Sequence, residues 1–184
     1  MFKHKDKISF VFLSLFIIIS SLLLNGCSQN EAVDPNRKVI QKVLELQFTG
    51  PDEKLVDLLE NPKYKVVKNG KEENHELDKY IEEVYGSYFT VSELDFFMRT
   101  FGTPFQILAN HNGYKLSFKG VTIKQHEKHL NRYNFTAQVS YQKNGGKEET
   151  KEVEGLILFS TDEEGKIGRF QYGNDNGLSD ILRN

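Results

Sequence analysis

The side chains able to do covalent or metal chemistry are few and scattered. Cys27 is the only cysteine, and a lone thiol cannot close an internal disulfide. Of the five histidines, His4 falls among the first residues, and His75 and His111 stand alone in stretches that read as polar loops. His126-Glu127-Lys128-His129 sets two imidazoles around a carboxylate. A zinc-binding helix needs histidines four apart to share one face, with a glutamate beside the first. Here the spacing is three, in what reads as the polar end of a strand and its turn. The expectation is a solvated turn and no metal.

Asn174-Asp175-Asn176-Gly177 is rich in oxygen ligands but lacks the alternating acids and distal glutamate of a calcium loop, so it reads as a turn. Asp162-Glu163-Glu164 reads as a charged hairpin tip. No serine occupies a Gly-x-Ser-x-Gly elbow, and neither a phosphate-binding loop nor a dinucleotide fingerprint occurs. No cofactor and no catalytic constellation are expected.

The thiol of Cys27 gains a role from its setting. Lys3, Lys5 and Lys7 precede Ile8–Leu24, a run without charge, which is the layout of an export signal. Its length sits at the lower edge of the about 17–25 residues a membrane-spanning helix needs. Leu24-Asn25-Gly26-Cys27 follows at once. This resembles the lipobox of bacterial lipoproteins, carried here by Leu24, Gly26 and Cys27. The resemblance implies cleavage between Gly26 and Cys27 and a diacylglycerol on the Cys27 thiol. Two acyl chains suffice for stable anchoring. The expected organisation is a signal over 1–26, a lipidated tether over 27–33 and a single α+β domain over 34–184. The expected location is the extracytoplasmic face of the cell membrane.

The formal net charge is −2, and it becomes more negative once the signal's lysines are removed. Without a basic excess or cluster, nucleic acid is not an expected partner. Nor does composition suggest contact with the membrane surface beyond the lipid.

The domain reads as helices followed by strands. Asp34-Pro35 opens a helix with apolar spacing at Val39, Ile40, Val43, Leu44 and Leu46. Thr49-Gly50-Pro51 breaks it, and a second helix with Leu55, Val56, Leu58 and Leu59 stops at Asn61-Pro62. Lys63–Asn74 reads as a surface loop with a short strand. Leu77, Ile81, Val84, Tyr85 and Tyr88 form one stripe of a third helix. Thr90 and Glu93 make a capping box, with Phe89 placed to staple on Leu94, and Leu94, Phe97, Met98 and Phe101 continue the buried face. Gly102-Thr103-Pro104 is expected to end the helical half.

The period then changes to two. Phe105–Leu108 is a weak strand candidate and Tyr114–Gln125 a stronger one. The clearest alternation runs through Tyr133, Phe135, Ala137, Val139 and Tyr141. Asn144-Gly145-Gly146 turns into a strand over Lys147–Ser160, and Asp162–Gly165 into one over Lys166–Tyr172. Consecutive hairpins imply an antiparallel sheet with one face on the helices.

This order is similar to the nuclear-transport-factor-two-like fold, a cone-shaped α+β family, over roughly Asp34–Tyr172. A cystatin-like sheet around one helix fits less well, because four helical segments precede the sheet. Val39–Leu59 and Tyr133–Lys143 also resemble small lipoproteins of low-GC Gram-positive bacteria, a resemblance that implies no function.

Some members of the cone family use an aspartate or histidine inside the cavity as a general base, because burial tunes such groups toward neutral pH. Here neither face of the Tyr133–Gln142 strand offers an acid or an imidazole. Glu93 and Asp95 are accounted for by capping, and Glu82 and Glu83 fall on a polar side. What remains is aromatic content, 14 Phe and 8 Tyr. Phe96, Phe97 and Phe101 are placed to face Tyr133, Phe135 and Tyr141 across the interior. Such residues either line a cavity for an apolar or amphipathic ligand or fill a solid core. The leading expectation is a membrane-tethered, non-enzymatic module for a protein or a small apolar ligand. The alternatives are a small-substrate enzyme of the cone type and an accessory subunit of an envelope secretion or conjugation assembly. Oligomeric state is not legible.

Overall fold

The computed structural model of the chain describes residues 34–184. The expected signal, its cleavage point at Gly26 and Cys27, and the tether over 27–33 lie outside the described residues.

Helix α1 spans Pro35–Phe48 and buries Ile40, Val43, Leu44, Gln47 and Phe48, one face at helical spacing. Helix α2 spans Glu53–Glu60, and the Asp52 side chain caps it by accepting from the Leu55 amide at 3.0 Å. After a 3-10 turn over Pro62–Tyr64, strands β1 (Val66–Lys68) and β2 (Lys71–Glu73) form a hairpin. Its turn is Asn69-Gly70, both at positive φ (53° and 75°), the geometry that favours this dipeptide. The stretch expected as a loop with one short strand is therefore a complete hairpin.

Helix α3 spans His75–Tyr85 and helix α4 spans Val91–Phe97, which continues into a π-helical turn over Met98–Gly102. His75 thus opens a helix and does not sit in a loop. Helix α5 follows over Pro104–His111, so Gly102-Thr103-Pro104 does not end the helical half and Phe105–Leu108 is not a strand. Pro104 serves as the first helical residue, and Phe105 and Ala109, four apart, are both buried. A four-residue window is too short to separate the two periods.

Strands β3 (Tyr114–Gln125), β4 (Arg132–Lys143), β5 (Glu149–Phe159) and β6 (Ile167–Asn174) form an antiparallel sheet in that order. Register shifts at Phe118/Gly120 and Glu154/Gly155 bend it. Gly155 lies opposite Phe135, and a Cβ there would collide with that ring. A short helix α6, Leu178–Leu182, closes the fold by burying Leu178 and Leu182. It is one turn long, too short to announce itself in the sequence. The architecture is α+β, with α1 and α5 packed on β3 and α4 on β6. Both outer strands are partly covered. Gly50 bridges Leu116 on β3, and Phe89 bridges Ile167 on β6.

Two buried polar side chains tie the layers together. The Gln106 amide donates to the Gln47 carbonyl at 2.8 Å, and its oxygen accepts from the Asp52 amide at 2.6 Å. One side chain from α5 thus satisfies groups at both the end of α1 and the start of α2. The capping box at α4 is only half formed. Thr90 Oγ1 accepts from the Glu93 amide at 3.3 Å, but the Glu93 carboxylate instead accepts from the Phe170 amide on β6 at 2.7 Å. Burial pushes the Glu93 carboxyl above its ordinary range, against the pull of the Phe170 amide and the Arg169 charge.

Gln106→Ala should cost at least about 2 kcal/mol in urea unfolding, since each buried group left unpaired costs about 1–3 kcal/mol. Glu93 binds its proton more tightly folded than unfolded. Its contribution therefore favours the folded state below the ordinary glutamate range and fades as pH rises through the raised value. Glu93→Gln, which keeps an acceptor for Phe170, should melt no lower than wild type at neutral pH and flatten that decline. Glu93→Ala should melt lower at every pH.

Candidate functional site

The aromatic residues expected to face one another separate into distinct neighbourhoods. Phe97, Phe101 and Phe135 join one cluster around Phe170, at ring-centroid distances of 4.9, 6.1 and 5.7 Å. Tyr133 packs edge-on to Phe159 at 5.5 Å, and Tyr141 meets Tyr114 at 6.3 Å. Phe96 is half exposed at the surface, touching Phe101 edge-on at 6.1 Å. Adjacent residues on a helix point about 100° apart, so Phe96 and Phe97 cannot share the interior. The hub of the cluster, Phe170, was not singled out from the sequence, although Phe170 and Tyr172 alternate there as strand residues do. These spacings are those of rings packed on one another.

Below the rings lies a polar but neutral network. The Gln47 amide donates to the Tyr85 hydroxyl at 3.0 Å and to the Gly102 carbonyl at 3.1 Å, and the Tyr172 hydroxyl donates to the Gln47 oxygen at 3.4 Å. Burial pushes the Tyr85 hydroxyl up to about 12 and Tyr172 well above its ordinary value. Both phenols stay protonated near pH 7, so they position helices and do not act as bases. Glu93, the buried carboxylate, is committed to the Phe170 amide.

The described histidines make local contacts. His111 ends α5 and pairs with Glu60 at 2.6 Å, so it is not alone in a loop. The His126 Nδ1 accepts from the Lys128 and His129 amides at 3.1 and 3.3 Å, closing the β3–β4 turn. Among the described residues, no group of three or more His, Cys, Asp or Glu side chains is placed to hold a metal. In the turn after β6, Asp175 accepts from the amides of Gly177 and Ser179, each at 3.0 Å.

A different feature has the character of a recognition site. Helix α3 buries only Tyr85 fully, which leaves the Leu77/Ile81 stripe facing α4 across a groove of about 440 Å³. Leu59, Leu77, Ile81, Leu94 and Met98 line it, with Asp78, Glu82, Asp95 and Arg99 around them. Arg99 pairs with Asp95. Asp78 and Glu82, four apart on one face of α3, are in no ion pair among the described residues. Val91, at the start of α4, is 82% exposed on the lining. An apolar trough edged by uncompensated acids suits a short segment carrying apolar side chains and positive charge. The stripe expected through Leu77, Ile81, Val84, Tyr85 and Tyr88 does pack against the core, with Tyr85 buried and the others partly so, and the groove opens along its Leu77–Ile81 edge.

A second recess of about 640 Å³ lies on the outer face of the sheet, where Thr122, Lys124, Asn134, Thr136, Glu154 and Gln171 surround Phe135 and Leu156.

The division of the aromatics is testable by stability. Phe97→Ala, at a fully buried position, should cost about 3–5 kcal/mol, whereas Phe96→Ser should stay within about 0.5 kcal/mol of wild type, both read by chemical denaturation. No protein-family model matches this chain, and no curated protein matches it in sequence.

Proposed function

We propose that this chain is an extracytoplasmic lipoprotein, held at the cell membrane by a diacylglycerol on Cys27, whose domain works as a non-enzymatic interaction module. The observation that carries the module reading is the α3–α4 groove, with its apolar lining and the unpaired carboxylates of Asp78 and Glu82. The domain's layout is similar to nuclear-transport-factor-two-like proteins, which build a cavity between helices and sheet. Here rings of Phe97, Phe135 and Phe170 are packed on one another in the interior, which favours an outward-facing site. The anchor reading is supported by Leu24-Asn25-Gly26-Cys27 directly after a charge-free run. Among the described residues, no helix is long and apolar enough to cross a membrane.

Two readouts test this in the host. The intact mass of the mature chain should begin at Cys27 and include diacylglycerol, while Cys27→Ala should lose that mass and leave the membrane fraction. A photo-crosslinker at Val91 should give adducts in intact envelopes, and one at Gln138 on the sheet's outer face should not. An unmodified Cys27 contradicts the anchor, and a silent Val91 contradicts the docking surface.

A further inference from the structure

We propose that the occupant of this groove is the β1–β2 hairpin of a second copy of the chain, forming a two-fold dimer; the inference rests on the groove being a docking surface. The hairpin carries the complementary chemistry. Val66 and Val67 are 55% and 73% exposed, apolar area that its own domain leaves uncovered. Lys68 and Lys71 are exposed at its tip, directly opposite each other in register. Like charges so placed repel, and neither lysine is in an ion pair among the described residues, whereas Lys63 and Lys65 are matched by Asp57 and Glu72. A two-stranded hairpin is marginally stable alone. Alternation along β1 places Val66 on the same face as Lys68, with Lys71 and Glu73 across the register. Asp78 and Glu82 of a second copy supply negative charge for the two lysines, and the trough beside them accepts Val66.

Position makes the arrangement close on itself. The hairpin leaves the domain just after Leu59 and returns just before Leu77, and both residues line the groove. Donor and acceptor surfaces are therefore neighbours along the chain. A two-fold axis beside them lets each hairpin fill the other copy's groove, giving an isologous dimer and not an open filament. Anchoring in one membrane would favour the pairing further by confining both copies to a plane.

The test is sedimentation of the mature protein in detergent, with Lys68→Glu/Lys71→Glu, Asp78→Lys/Glu82→Lys and all four changes together. All four positions are exposed, and melting curves check that each variant folds. Wild type should dimerise, each double variant should weaken the dimer at least tenfold, and the fourfold variant should recover it. As a second measurement, a Val66→Cys chain mixed with a Val91→Cys chain should form a mixed disulfide. Monomeric wild type, no recovery in the fourfold variant, or no mixed disulfide overturns the dimer. Val91 adducts made only of another protein also overturn it while leaving the docking surface standing.

Discussion

The side-chain amide of Gln106 is the contact on which the helical layer depends. A broken helix leaves carbonyls at the end of one segment and amides at the start of the next without partners. At Thr49-Gly50-Pro51 a single side-chain amide from α5 meets such groups on both sides, the buried Gln47 carbonyl and the part-buried Asp52 amide. Gly50 must be glycine there, because a Cβ would run into the Gln106 oxygen. Its backbone is also engaged, exchanging hydrogen bonds of 3.1 and 2.7 Å with Leu116 on β3. The corner between α1 and α2, the seat of α5 and one edge of the sheet are thus fixed at one place.

The walls of the groove follow from that corner. Asp52 not only caps α2 but accepts from the Tyr80 hydroxyl at 2.6 Å, which draws α3 alongside. On the opposite wall, Glu93 holds α4 on the Phe170 amide of β6. Polar contacts thus seat both helices, while α4 buries Leu94, Phe97 and Met98 and α3 packs Leu77 and Ile81 partly on the core.

Much of this fold was legible from local rules. The Asp34-Pro35 start, the break at Gly50-Pro51, the Thr90 cap, the alternation in β4 and the Asn144-Gly145 turn each depend on residues close in sequence. The exceptions share one cause. Helix α5 was invisible because four apolar residues after a proline fit either period, and α6 because one turn has no period. Glu93 looked like a capping partner, yet its carboxylate went to Phe170, 77 residues away. Gln106 gave no signal at all, since its meaning comes from groups at long range. The groove is a matter of degree: periodicity marks Leu77 and Ile81 as apolar, but not that they pack on the core only in part.

The resulting picture is a domain whose interior is occupied by rings and neutral hydrogen bonds, with the proposed docking surfaces outside, on α3, α4 and the β1–β2 hairpin. Of the two readings of the aromatic content, a lined cavity and a filled core, the ring spacings match a filled core, and the proposed dimer would give Val66 and the unpaired charges a common purpose. Amide hydrogen exchange reports most directly on the difference, comparing the mature chain at high density in membranes with the same chain diluted in detergent. The account predicts slower exchange in β1–β2, α3 and the first turn of α4 at high density, with β4–β6 unchanged. Protection confined to β6 and the π-helical turn, around Tyr172 and Phe101, would contradict it by placing the ligand inside.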